Sequence, residues 1–225
     1  MVEVAGSRTL VPACSRRAEP GMEVRTDTER VRHGRKIVPG LPASSADPST
    51  RAAEWIKEYE AEPDRFGPGA ARPNEEPRVD NELYVRDYGE CILCYKCVDA
   101  CGDQWQNTFV ISVAGRRLDA RIAVEHDAPP ADSACVYCGN CVEVGPTGAL
   151  SSGSEFDRRA AGTWDEVRQT ETSTVCAYRG AGCNLTLHVQ ENETVKVTSP
   201  HDNPVTHGNL SIKGRFGYQH VQNRG

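Results

Sequence analysis

Alternation of apolar and polar residues along this chain is short-ranged. "VEVAG", "RTLVPAC" and "MEVRT" alternate with period two between Gly and Pro, the pattern of short strands at the end of a small sheet. "TDTERVRHGRKIV" and "TRAAEWIKEYEAE" follow with capping residues and good helix formers, so two surface helices are predicted over 26–38 and 50–62. From Glu62 to Asp80 the pattern dissolves into Pro, Gly, Arg and Glu, a composition that cannot bury enough apolar surface to order itself and reads as a linker. Alternation returns in "FVISVAGRRLDARIAV", a hairpin about a Gly-Arg turn, and in "NLTLHV" and "TVKVTS", a second hairpin around "QENE". No run approaches the roughly 18 apolar residues of a membrane helix, and Arg16-Arg17 is not followed by the apolar segment of an export signal.

Composition changes this picture in one respect. An apolar content of 38% with 6% aromatics is low for a core in a chain of 225 residues, and ten cysteines stand where the missing burial would be. Without an export signal the expected compartment is the reducing cytoplasm, where close cysteines bind metal more often than they form disulfides. The net charge of −6, with no cluster of Lys and Arg, argues against a nucleic-acid partner, and no membrane partner is expected.

Nine of the cysteines fall into three groups. "CILCYKCVDAC" places Cys91, Cys94, Cys97 and Cys101 at C-x2-C-x2-C-x3-C spacing. Three thiolates two residues apart wrap one cuboidal cluster, and the fourth ligates the other cluster of a pair. Cys135, Cys138 and Cys141 repeat the loop, and Pro146 follows the expected fourth cysteine, but position 145 is Gly. Crossing the ligands predicts one complete four-iron cluster on Cys135, Cys138, Cys141 and Cys101. Cys91, Cys94 and Cys97 are left with an incomplete site, for a three-iron cluster or a four-iron cluster with one non-cysteine ligand. Zinc ribbons also use C-x2-C, but a third cysteine at x2 and a trailing cysteine at x3 are not their features, so iron–sulfur is favoured over a zinc-stabilised interaction module. The six histidines show no ligand spacing and read as surface or structural residues.

The third group, in "STVCAYRGAGCNLTLHV", precedes "LSIKGRFGYQH". With the double ferredoxin pattern before it, the chain resembles the N-terminal iron–sulfur region of the alpha subunit of NAD-linked, molybdenum or tungsten bis-pyranopterin formate dehydrogenases. The large iron–sulfur subunit of respiratory NADH dehydrogenase shares the domain order. In the formate dehydrogenase family C-x2-C-x3-C and a later cysteine before Lys-Gly-Arg hold a further four-iron cluster. Here Cys176 and Cys183 fill the first and third positions, while Arg179 and Ser211 occupy the second and fourth, so this site is expected to be vacant. Lys213 matches a lysine lying between that cluster and the pterin, and without the cluster it is expected to be a solvated surface residue. Cys14 matches the last ligand of a two-iron ferredoxin domain whose other ligands this sequence lacks, and it is expected to be a free thiol.

The resemblance implies an α+β fold: a two-cluster ferredoxin-like unit, a pseudo-symmetric βαβ pair, flanked by an incomplete β-rich ferredoxin fragment and a small C-terminal β-rich iron–sulfur-type domain. The expected boundaries are 1–61 for the N-terminal fragment and helices, 62–80 for the linker, 81–155 for the double ferredoxin and 170–225 for the C-terminal domain. The function implied is an electron-transfer module working with other oxidoreductase subunits or electron carriers. It holds no molybdopterin and no catalytic residue, since in the family both belong to pterin domains that continue where this chain stops at Gly225. The alternative is a non-functional remnant, or an incomplete reading of a longer oxidoreductase gene, because three expected cysteines are replaced.

Overall fold

The computed structural model describes residues 1–14, 16–43, 46, 51–67, 76–116 and 119–222. Strand β1 (Glu3–Val4) pairs antiparallel with β2 (Val24–Arg25). "RTLVPAC" contributes one bridge, Val11 to Val2, because Pro12 has no N–H to extend a ladder. Thr28 starts helix α1 (Glu29–Ala43): its hydroxyl accepts from the Val31 N–H at 3.2 Å and donates to Glu3 at 2.7 Å, tying the helix to the strand. The helix runs past the predicted end at Val38, through Pro39 and Pro42. Proline removes a donor there, but Gly40 and Ala43 are buried and packing holds the last turns. This helix is therefore not wholly at the surface, since Val31 is also buried. Helix α2 (Arg51–Glu58) follows.

The ends of the linker expected over 62–80 are described. Glu62 pairs with Lys36, Pro63–Phe66 forms a 3-10 turn, and Arg78 bridges Arg86. Its centre, 68–75, lies outside the described residues.

The middle of the chain runs β3 (Tyr84–Arg86), α3 (Lys96–Cys101), β4 (Ile111–Ala114), β5 (Arg121–Val124), α4 (Asn140–Glu143) and β6 (Leu150–Ser152). The first and last strands pair antiparallel, with Val85 opposite Ser151, and β4 pairs with β5 as the predicted hairpin. Helices α3 and α4 pack together.

Helix α5 (Gly153–Ala160) is capped by Ser152, whose hydroxyl accepts from the Glu155 N–H at 3.2 Å. Beyond it, β7 (Thr170–Val175), β8 (Asn184–Gln190) and β9 (Glu193–Thr198) form an antiparallel sheet in that order. The predicted second hairpin is β8–β9; Glu191 and Asn192 turn it with φ of 54° and 66°, the two left-handed positions of a type I′ turn. Short helices α6 (Ile212–Phe216) and α7 (Gln219–Gln222) close the described chain. The architecture is mixed helix and strand in small sheets, and no described helix is long and apolar enough to cross a membrane.

Candidate metal centre

The two cysteine runs fold into loops with the same backbone. Leu93 (φ 52°) and Tyr95 (φ 62°) are left-handed at the second and fourth positions after Cys91, and Tyr137 (φ 52°) and Gly139 (φ 70°) repeat this after Cys135. Each loop runs directly into a helix, α3 from Lys96 and α4 from Asn140. Left-handed Leu and Tyr cost about 1–2 kcal/mol each, and such strain persists only where surrounding structure imposes it. Alternating backbone of this kind gathers N–H groups into concavities that suit anions. Consistent with that, the Leu93 N–H reaches the Cys91 thiol and the Asn140 N–H reaches that of Cys138.

The end of α3 brings Cys101 of the first run beside the cysteines of the second. There Cys101 lines one cavity, partly open to solvent, with Cys135, Cys138 and Cys141. Burial raises the Cys141 thiol well above the usual thiol range, and neighbouring Cys138, Cys97, Cys101 and Cys135 add to it. Cys138 is raised by burial too, with Cys135 and Cys101 adding, against opposition from the Asn140 N–H and the Arg215 guanidinium. The Cys101 sulfur lies 3.3 Å from the Thr108 hydroxyl, and that of Cys135 lies 3.5 Å from the Tyr84 phenol. Cys91, Cys94 and Cys97 form the other group: burial pushes the Cys97 thiol up to about 12, and Cys91 and Cys94 contribute to the shift.

An anionic cluster fits what lines this cavity. Four thiols converge on it from runs far apart in sequence, and Arg86, which also lines it, has a buried Nε without a hydrogen-bond partner among the described residues. The Arg86 charge is already met by Asp80 and one Nη by the Tyr88 hydroxyl, so a thiolate-ligated cluster would supply an acceptor for the remaining Nε alone. Gly145 lies ten residues after Cys135, as Cys101 lies ten after Cys91. A Cβ built there meets only the carbonyl oxygens of Val142 at 3.6 Å and Cys141 at 3.7 Å, so a cysteine is sterically admissible.

One residue that the linear pattern does not single out anchors the second loop. Arg215, in α6, is almost wholly buried. Its Nε donates to the Cys138 carbonyl at 3.0 Å, Nη1 to Glu143 at 2.6 Å and to the Val197 carbonyl at 3.4 Å, and Nη2 to Asn140 Oδ1 at 3.2 Å. Asn140 Oδ1 also accepts from the Leu210 N–H at 3.2 Å. Gly139 is required at this contact: it is left-handed, and a Cβ would stand 2.4 Å from Arg215 Cδ. The C-terminal unit therefore grips the loop between two cavity-lining cysteines, Cys138 and Cys141. Lys-Gly-Arg is visible as a motif, but nothing local marks its arginine as buried.

The third group is built differently. Cys176 is buried with Leu185, Val197 and Leu210, and Cys183, Leu187 and Tyr218 pack against them. Arg179 and Lys213 are exposed, so neither closes a site over these thiols. Ser211, where the fourth ligand was due, caps α6 by accepting from the Gly214 N–H at 3.5 Å. Because that bond is long, Ser211→Ala is expected to cost about 0.5 kcal/mol, the low end for a lost cap, as read by urea unfolding at constant slope. Tyr178 fastens the intervening loop by donating to the Gly217 carbonyl at 2.7 Å. Cys14 is exposed and free.

Residues 169–223 match the family model described as the Molybdopterin oxidoreductase Fe4S4 domain. The matched segment holds only Cys176 and Cys183; the seven cysteines of the crossed loops precede it. The chain is 30% identical over 234 residues to an NADH-quinone oxidoreductase component of Rhizobium meliloti, covering 100% of this chain and 26% of that protein. It is 30% identical over 227 residues to the alpha chain of the NADPH-Fe(3+) oxidoreductase of Geobacter sulfurreducens, covering 98% and 26%. A Staphylococcus haemolyticus protein provisionally named a formate dehydrogenase is 28% identical over 179 residues, covering 61% and 18%. The chain thus spans about a quarter or less of the length of these curated relatives. Among solved structures, an NAD+-reducing [NiFe]-hydrogenase chain in the H2-reduced state superposes with a TM-score of 0.57 at 19% identity, covering 67% of this chain and 66% of that one. That likeness concerns the fold alone.

Proposed function

We propose that this chain is an iron–sulfur electron-transfer module of a multi-subunit oxidoreductase, with ligands crossed between its two cysteine loops. Cys101, Cys135, Cys138 and Cys141 hold a four-iron cluster, and Cys91, Cys94 and Cys97 hold a second cluster lacking one thiolate. Such clusters take up and release single electrons when bound. The chain's own contribution is to bury the thiols, aim backbone N–H groups at them and set Arg86 beside them. The observation that carries the reading is the single cavity lined by thiols from two distant runs, in the pairing that the x3 spacing requires.

Zinc fits less well. Zinc ribbons use paired C-x2-C, whereas here each run has a third cysteine at x2 and the first has a trailing cysteine at x3. The remnant reading is weakened by compensation at one replaced position, since Ser211 caps a helix. Of the two related enzyme classes, the NADH-quinone oxidoreductase type is favoured by similarity along the whole chain. The formate dehydrogenase likeness covers 61% of it. The test is anaerobic preparation with quantification of iron and acid-labile sulfide: a brown, dithionite-reducible protein is expected, and colourless protein holding zinc or no metal overturns the reading.

Gly145→Cys probes the incomplete site. After ferricyanide and EDTA treatment the natural chain is expected to retain about seven irons and the variant about eight, because the added thiolate secures the fourth iron. Equal iron counts and identical electron paramagnetic resonance spectra would show that residue 145 does not face that cluster.

A further inference from the structure

The two cysteines of the third group stand directly opposite one another. The β7–β8 ladder ends with Val175 opposite Asn184, and one residue beyond it the Cys176 N–H donates to the Cys183 carbonyl at 2.8 Å. Directly paired residues of an antiparallel ladder put their side chains on the same face. Continuing the register of the ladder by one residue sets Cys176 opposite Cys183, where paired Cα atoms are about 4.5–5.5 Å apart, inside the range that a disulfide spans. Independently of register, both thiols belong to one apolar cluster with Leu185, Val197 and Leu210. Gly182 (φ 69°) and the Tyr178 anchor on Gly217 fix the loop that joins them.

We infer that Cys176 and Cys183 form a reversible dithiol/disulfide couple, a modification site occupying the place where the family model carries a cluster. The oxidant is a small disulfide such as oxidised glutathione. Cys183, the more accessible thiol, attacks one sulfur of the oxidant as the thiolate; the oxidant's S–S bond breaks, a mixed disulfide forms and one small thiol leaves with a proton. Buried Cys176 then attacks the Cys183 sulfur, forming the Cys176–Cys183 bond and releasing the second small thiol. Two protein thiols lose two electrons and two protons, and one small disulfide gains them. This inference does not depend on the clusters of the crossed loops.

The test uses the full, cluster-loaded chain, equilibrated anaerobically at graded ratios of oxidised to reduced glutathione, quenched in acid, alkylated and digested with trypsin. Trypsin cuts after Arg179, between the two cysteines, so the couple appears as peptide 169–179 joined to 180–196. The expected result is this linked pair at oxidising ratios, with loss of two alkylatable thiols, its disappearance at reducing ratios, and its absence in Cys183→Ser. Exposed Cys14 supplies the control, since its glutathionylation reports that the oxidant was active. Separately alkylated 169–179 and 180–196 in a sample whose Cys14 is modified overturn the inference. So does iron retained by a variant lacking all seven cysteines of the crossed loops. Iron and sulfide measured on the same samples separate this outcome from that of the proposed function.

Discussion

Cys101→Ala is expected to dismantle, in part or in full, the four-iron cluster proposed for the second loop while leaving the site on Cys91, Cys94 and Cys97 its three thiols. The residue sits in the first run, so a reading without crossed ligands predicts damage to the first site instead. Cys101 lines the cavity with Cys135, Cys138 and Cys141 and raises the thiols of Cys138 and Cys141. With three thiolates left, the second site loses one iron, or all four where the cavity opens to water. Iron analysis is expected to fall by one to about four atoms per chain, and the reduced spectrum to lose one of its two components. A spectrum that loses the first-loop component, or neither, would refute the crossing.

Arg215→Ala is expected to be the most destabilising single change outside the cysteines. It leaves the Glu143 carboxylate, whose side chain is 12% exposed, without its cation, and it strips donors from Asn140 and the Cys138 carbonyl. Breaking one partner of a buried ion pair typically costs about 3–5 kcal/mol, because the remaining charge stays buried. Arg215→Lys keeps the charge but cannot reproduce a planar fork reaching four acceptors, so an intermediate loss is expected. Urea unfolding of the loaded protein measures both variants. The second-loop cluster should also bleach faster in air than the first, since the grip on Cys138 is gone. A loss under about 1 kcal/mol, with unchanged bleaching, would mean that the C-terminal unit does not hold the loop.

Much of the centre could be read from spacing, because loop geometry around cysteines is local. C-x2-C-x2-C-x3-C suggests which thiols share a loop and which one turns away, and Cys101 lines a cavity with the three cysteines of the second loop. Both predicted hairpins formed, since period-two alternation beside turn residues specifies them within about fifteen residues. Helix α5 carried a legible signal, Ser152-Gly153-Ser154-Glu155, a capping box that is easily lost among the neighbouring serines. Strand β7 carried none: all six residues are exposed, so no apolar period marks them, and only the ladder to β8 makes them a strand.

The chain's own pattern settled the cysteine loops, the hairpins and the substitutions at 145, 179 and 211, all of which depend on near neighbours. Tertiary structure alone decided that Arg215 is buried, because Glu143 and Asn140 lie 72 and 75 residues away. It also drew the third cysteine group into an apolar cluster. Ser211 became a helix cap, a role that exists only once α6 has formed. Burial and long-range hydrogen bonding are properties of what the chain folds against, and a linear pattern carries no record of them.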